Sequence, residues 1–120
     1  MESRRITAEE AAKVMQTWAN QSQRVCLAVC VGDVAWHAFW VGTMHEAGSG
    51  RWVLASDHTT NMVRPDQYGE IILTEDEELR GIRFREPRAF GARGFEVDLF
   101  VDKHDGFDEA FVALVNKMVD

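Results

Sequence analysis

Val25-Cys26-Leu27-Ala28-Val29-Cys30-Val31-Gly32-Asp33-Val34-Ala35-Trp36-His37-Ala38-Phe39-Trp40-Val41 is the stretch on which the reading of the fold turns. Two β-rich runs flank Gly32-Asp33, a two-residue connection with Gly first, of the kind that closes a tight hairpin. If Val31 faces Val34, then Val29 faces Trp36, Leu27 faces Ala38 and Val25 faces Trp40 on one side of the sheet. The other side pairs Cys30 with Ala35, Ala28 with His37 and Cys26 with Phe39. Both faces are apolar, so the hairpin belongs at the centre of a layered structure, because a solvated antiparallel sheet alternates apolar with polar. Cys26, Ala28, Cys30 and Ala35 are small, and a helix is expected to pack closely on their side. The bulky side, with Trp36 and Trp40, must meet either the rest of a curved sheet or a second copy of the protein.

Working toward the N-terminus, Thr7-Ala8-Glu9-Glu10 reads as a capping box that starts a helix near residue 8. Ala8, Ala11, Ala12, Met15, Trp18 and Ala19 recur at three- and four-residue spacing and form its apolar stripe, which ends near Asn20. Toward the C-terminus, Ala47-Gly48-Ser49-Gly50 is a turn before a strand at 51–56. Strands at 70–74 and 79–85 are joined by the acidic turn Glu75-Asp76-Glu77-Glu78. The strand at 95–102 alternates, with Phe95, Val97, Leu99 and Val101 inward and Glu96, Asp98 and Asp102 outward. Asp105-Gly106 then leads into a C-terminal helix whose stripe is Phe107, Phe111, Leu114 and Met118. The expected fold is α+β: a strongly curved or barrel-like antiparallel sheet of five to six strands with an N-terminal and a C-terminal helix, in a single domain over residues 1–120.

Composition sets the limits on function. The chain has 120 residues, 46% of them hydrophobic, enough to bury roughly two thirds of its unfolded surface around one core. Twenty acids against 13 bases give a net charge of −7, which argues against nucleic acid and anionic membranes as partners. No apolar run approaches the roughly 20 residues that span a bilayer, and no signal segment is recognisable, so a cytoplasmic setting is expected. Cys26 and Cys30 sit on one strand about 13 Å apart, too far for a disulfide between them.

Three groups of residues could carry function. The segment 57–69 lacks a clear period and is longer than most connections; within it, His58 with Asp57 or Asp66 could form an acid–base pair, and Arg64 could position a substrate. The plainer reading is a surface crossover whose Asp, Thr and Asn satisfy turns. Arg80, Arg83, Arg85, Arg88 and Arg93 cluster in a chain that is otherwise acidic. Guanidinium forks suit phosphate or carboxylate, and Gly91 and Gly94 would let the backbone around Arg88 and Arg93 approach an anion. Against that, Arg83 and Arg85 fall where Glu96 and Asp98 would pair with them across strands. Trp36 and Trp40, finally, are interface candidates, since Trp is enriched at binding hot spots.

His37, His45, His58 and His104 show no ligand-like spacing and the cysteines form no C-x-x-C, so neither a metal nor any other cofactor is expected. No nucleophile elbow, zinc-protease helix or glycine-rich phosphate loop is present. A helix followed by bent strands resembles the element order of small barrels such as Sm-like and flavin split-barrel proteins, a likeness of fold that does not give function. The leading expectation is a non-enzymatic module that assembles with itself, as a homodimer, or with another protein. The alternative is a small barrel that binds an anionic ligand or nucleic acid through residues 80–93 and the loop 57–69. An enzyme using His58 comes third.

Overall fold

A computed structural model describes residues 2–31, 34–56, 59–86, 94–104 and 106–109; for residues 31 and 34–39 the description covers the backbone alone. Along the chain come β1 (Glu2–Arg5), α1 (Ala8–Asn20), β2 (Arg24–Val31), β3 (Val34–Gly48), β4 (Arg51–Ala55), β5 (Thr60–Val63), β6 (Glu70–Glu75), β7 (Leu79–Glu86) and β8 (Phe95–Asp102), with a 3-10 turn at Pro65–Gln67. All eight strands belong to one antiparallel sheet in the order β1-β6-β7-β8-β2-β3-β4-β5. The sheet is open, ending at β1 and β5, and has eight strands where five to six in a strongly curved or barrel-like sheet were expected from sequence. Among the described residues there is one α-helix; the expected C-terminal helix lies almost wholly in residues 110–120, outside them. No described helix is long and apolar enough to cross a membrane.

The helix forms as its sequence dictates. Thr7 Oγ1 accepts from the Glu10 amide at 3.1 Å and the Glu10 carboxylate accepts from the Thr7 amide at 3.3 Å, satisfying two of the donors that a helix start leaves open. Ala11, Met15 and Trp18 are its buried residues. Ser22, at φ 50°, then turns the chain out of the helix, and Gln23 donates back to the Trp18 carbonyl at 2.9 Å.

One face of the sheet and α1 share a single core cluster. It draws Val25 and Leu27 from β2, Met44 from β3, Trp52 and Leu54 from β4, Val63 from β5, Ile71 and Leu73 from β6, Ile82 and Phe84 from β7, and Val97, Leu99 and Val101 from β8. Eight flat strands would span about 34 Å at the usual spacing, far more than one helix of about 10 Å diameter can cover. Residues from β5 and β6 can join one cluster around α1 only because the sheet curls about the helix. The first part of β3 pairs with β2 and its last part with β4, Thr43 facing both Arg24 and Ala55. Gly42 sits next to this handover, where any Cβ would collide with the Ala55 carbonyl.

The first hairpin corrects two expectations. Val31 does face Val34, but a bulge next to it makes Cys30 face His37, and from there Val29 faces Ala38, Leu27 faces Trp40 and Val25 faces Gly42. The slip is two residues, an even number, so it does not exchange the two faces of the hairpin. Helix α1 packs on the bulky face, with Val25, Leu27, Val29 and Trp40, and not on the small one. The reason is complementarity of size: the helix stripe is largely Ala8, Ala11, Ala12 and Ala19, and large side chains fill the space that alanines leave. The small face is met by Phe107, which packs with Cys26, Val41 and Phe100.

Residues 59–69 of the segment 57–69 hold a strand and a turn where a plain crossover was the alternative. Thr60–Val63 pairs with β4, Ser56 and Thr59 bridge the hairpin through the Ser56 amide to the Thr59 carbonyl at 3.0 Å, and Pro65 starts the 3-10 turn.

Candidate interaction surface

With its concave face committed to α1, the sheet leaves two zones on its convex face and a third at the β6–β7 turn. The first is a ladder of charges across β8, β7, β6 and β1. Arg83 Nε donates to Asp98 at 3.0 Å and lies 3.4 Å from Glu96; Arg85 lies 3.4 Å from Glu96 and 3.8 Å from Glu70; Arg5 reaches Glu70 at 3.6 Å. The register explains it, since Arg83 faces Asp98 and Arg85 faces both Glu96 and Glu70. The Asp98 carboxylate raises the pKa of Arg83 further through their hydrogen bond. Glu96 has its pKa raised, first by partial burial and then by the negative charge of Asp98, against the pull of Arg83 and Arg85.

The second zone is apolar. Gly81 leaves a gap in the outward row of β7, and around it Thr74, Leu79, Arg83, Asp98 and Phe100 line a groove of about 270 Å³. Phe100 continues the apolar surface toward Phe107, their rings 5.8 Å apart and edge to face. A glycine inside an otherwise regular strand pattern is the sequence signal that could have pointed here. Beneath Phe107, burial pushes the Cys26 thiol up to about 12, so it remains a protonated, inert core group.

The third zone is an acidic bowl of about 630 Å³ at the β6–β7 turn, lined by Glu2, Glu75, Asp76, Glu77, Glu78 and Lys103. Asp76 closes the turn by accepting from the amides of Leu79 at 2.7 Å and Glu78 at 2.8 Å, which hold its carboxyl below the usual range. Lys103 donates to the Asp76 carbonyl at 2.7 Å, which ties the end of β8 to this turn.

The residues singled out from sequence fall as follows. Arg64 precedes the 3-10 turn, with Nη2 3.7 Å from the Asp66 carboxylate, so these two candidates pair with each other. The Arg64 Nε is shut off from solvent and has no hydrogen-bond partner. Arg80 lies 3.1 Å from Glu75. Arg64, Arg80, Arg83 and Arg85 thus each have a carboxylate within 4 Å. Trp40 is half-buried against the main core of its own chain, on the concave side. Asp57, His58, Arg88 and Arg93 lie outside the described residues, as does the Trp36 side chain. Among the described residues no three His, Cys, Asp or Glu side chains converge as metal ligands would.

An open antiparallel sheet curled around one helix is the class of fold these contacts define. Two solved structures share it. The crystal structure of ChuX superposes with a TM-score of 0.51 at 14% identity, over 98% of this chain and 74% of that one. A protein from Erwinia carotovora superposes with a TM-score of 0.54 at 16% identity, with the same coverage of 98% and 74%. At such identities the likeness is one of fold. No family model matches the sequence, and neither does any curated protein.

Proposed function

We propose that this protein is a non-enzymatic assembly module of the cytoplasm, and that its partner is a second copy of itself. The observation that carries the reading is the use of the concave face: α1 fills it, and residues of both flanks of the sheet close over that helix in one dry cluster. Recognition then falls to the convex face and the two edges, where a groove floored by Gly81 and walled by Phe100 lies beside a ladder of charges. An apolar centre with a polar rim is the usual anatomy of a protein contact. The described arginines of the 80–93 cluster are already in ion pairs, which favours this reading over capture of an anion.

Native mass spectrometry of the purified chain tests it. A dimer with no added mass is the expected outcome. A monomer that retains a small molecule or a nucleic acid would overturn it in favour of a ligand-binding role, and Arg88→Ala and Arg93→Ala would then be the variants to make.

A further inference from the structure

Resting on that assembly reading, we propose that two copies join through the β5 edge, which pairs antiparallel with the same strand of the second copy about a two-fold axis at Met62. The described sheet ends in two edges of opposite character. β1 is Glu2-Ser3-Arg4-Arg5, exposed throughout, and Glu2 is part of the rim of the acidic bowl with Glu75, Asp76, Glu77 and Glu78. A second copy docking there would bring two acidic rims together, and like charges face to face disfavour association. Charged residues on an edge strand are also a common device against such pairing. β5 is Thr60-Asn61-Met62-Val63 and carries no charge. Its Met62 is 57% exposed, the more open of the two exposed large hydrophobic residues of the described chain, and stands beside Val53 of β4.

The symmetry restricts the joint. In one sheet continued across a two-fold axis normal to it, opposed residues share a face, and side chains alternate faces along a strand. Paired residues must therefore both be even or both be odd in number. With Met62 on the axis, Met62 meets Met62, Asn61 meets Val63, and Thr60 meets Arg64. No two like charges are opposed. The row of backbone donors and acceptors that an edge strand leaves to water is taken up by its twin, and the two methionines cover each other. This self-complementarity is what selects a second copy as the occupant.

The test compares three full-length chains by sedimentation and native mass spectrometry over a concentration series. The unaltered protein is expected to dimerise. Met62→Lys, which sets two ammonium groups face to face at the axis, should weaken the dimer by at least roughly tenfold. Met62→Cys, made with Cys26→Ala and Cys30→Ala, should oxidise to a covalent dimer, because directly opposed antiparallel residues lie about 4.5–5.5 Å apart between Cα atoms, within disulfide range. A dimer that keeps its strength in Met62→Lys and gives no cross-link through Met62→Cys would overturn the β5 joint while leaving assembly intact. A monomer at every concentration would sink both. Should Met62→Lys lose its fold by circular dichroism, the cross-link alone decides.

Discussion

The two faces of the sheet are built from the same strands and held by different forces. On the concave side β7 contributes Ile82 and Phe84, at 1% and 0% exposure; on the convex side the same strand contributes Arg83 and Arg85, each paired with carboxylates that remain partly in water. The concave side gains free energy from removing apolar area, which is non-directional and large, whereas the convex side gains from charge pairs that water screens. The larger apolar core thus lies on the concave face, and the charge ladder of the convex face can change with little effect on the fold.

The sharpest way to break that contrast is Phe84→Ala. Deleting a fully buried ring should cost about 3–5 kcal/mol, measured by urea unfolding, whereas Phe100→Ala on the convex side should cost roughly half as much or less, because Phe100 is only half-buried. Equal losses would show that both faces act as core. Next comes Gly42→Val, which forces a side chain against the Ala55 carbonyl and should destabilise by about 1–3 kcal/mol, with the tryptophan fluorescence of Trp52 on β4 reporting the shift. Thr7→Ala removes the cap and should cost about 1 kcal/mol in the same unfolding assay.

The smallest effects belong to the ladder. Arg83→Met should change stability by less than about 1 kcal/mol, and that difference should shrink further in high salt. Glu96→Gln sharpens the point through pH. Because the folded-state pKa of Glu96 is raised, the folded protein holds this proton more tightly than the unfolded chain, so the group's contribution falls as pH rises from the ordinary carboxylate value through the raised one. The stability of the Gln variant relative to the unaltered protein should accordingly improve over that window, as read from urea midpoints at a series of pH values.

How much of this could be read in advance depended on whether a signal was local. The capping box and stripe of α1 and the alternation of β8 are patterns within one element, and both emerged as expected. The hairpin turn was local too, but the bulge beside it was not, and it moved the partners by two residues. β1 and β5 escaped notice because neither has a pattern of its own. Glu2–Arg5 extends only because β6 supplies its hydrogen bonds, and Thr60–Val63 only because β4 does. Their presence turned an expected five or six strands into eight. The side of the sheet that takes α1 is not legible in the sequence, since it depends on matching two distant surfaces, alanines against bulky side chains, and not on either alone. Of the candidate residues, Arg83 and Arg85 were legible as cross-strand partners of Glu96 and Asp98, whereas the groove over Gly81 depends on an absent side chain.

The strand order has a last consequence, for the order of events in folding. β2 to β5 follow one another by simple reversals, and so do β6 to β8, but the seam between these two blocks sets Leu27 beside Leu99. The β2–β8 pair at the middle of the sheet can therefore form only once β8 has been made. During synthesis on the ribosome, β2 must wait with one side open until β8 has emerged. Loop closure over such a span is entropically costly and slows folding. In that interval the apolar strand β2, with Val25, Leu27 and Val29, is the segment most open to capture by a chaperone or by another nascent chain.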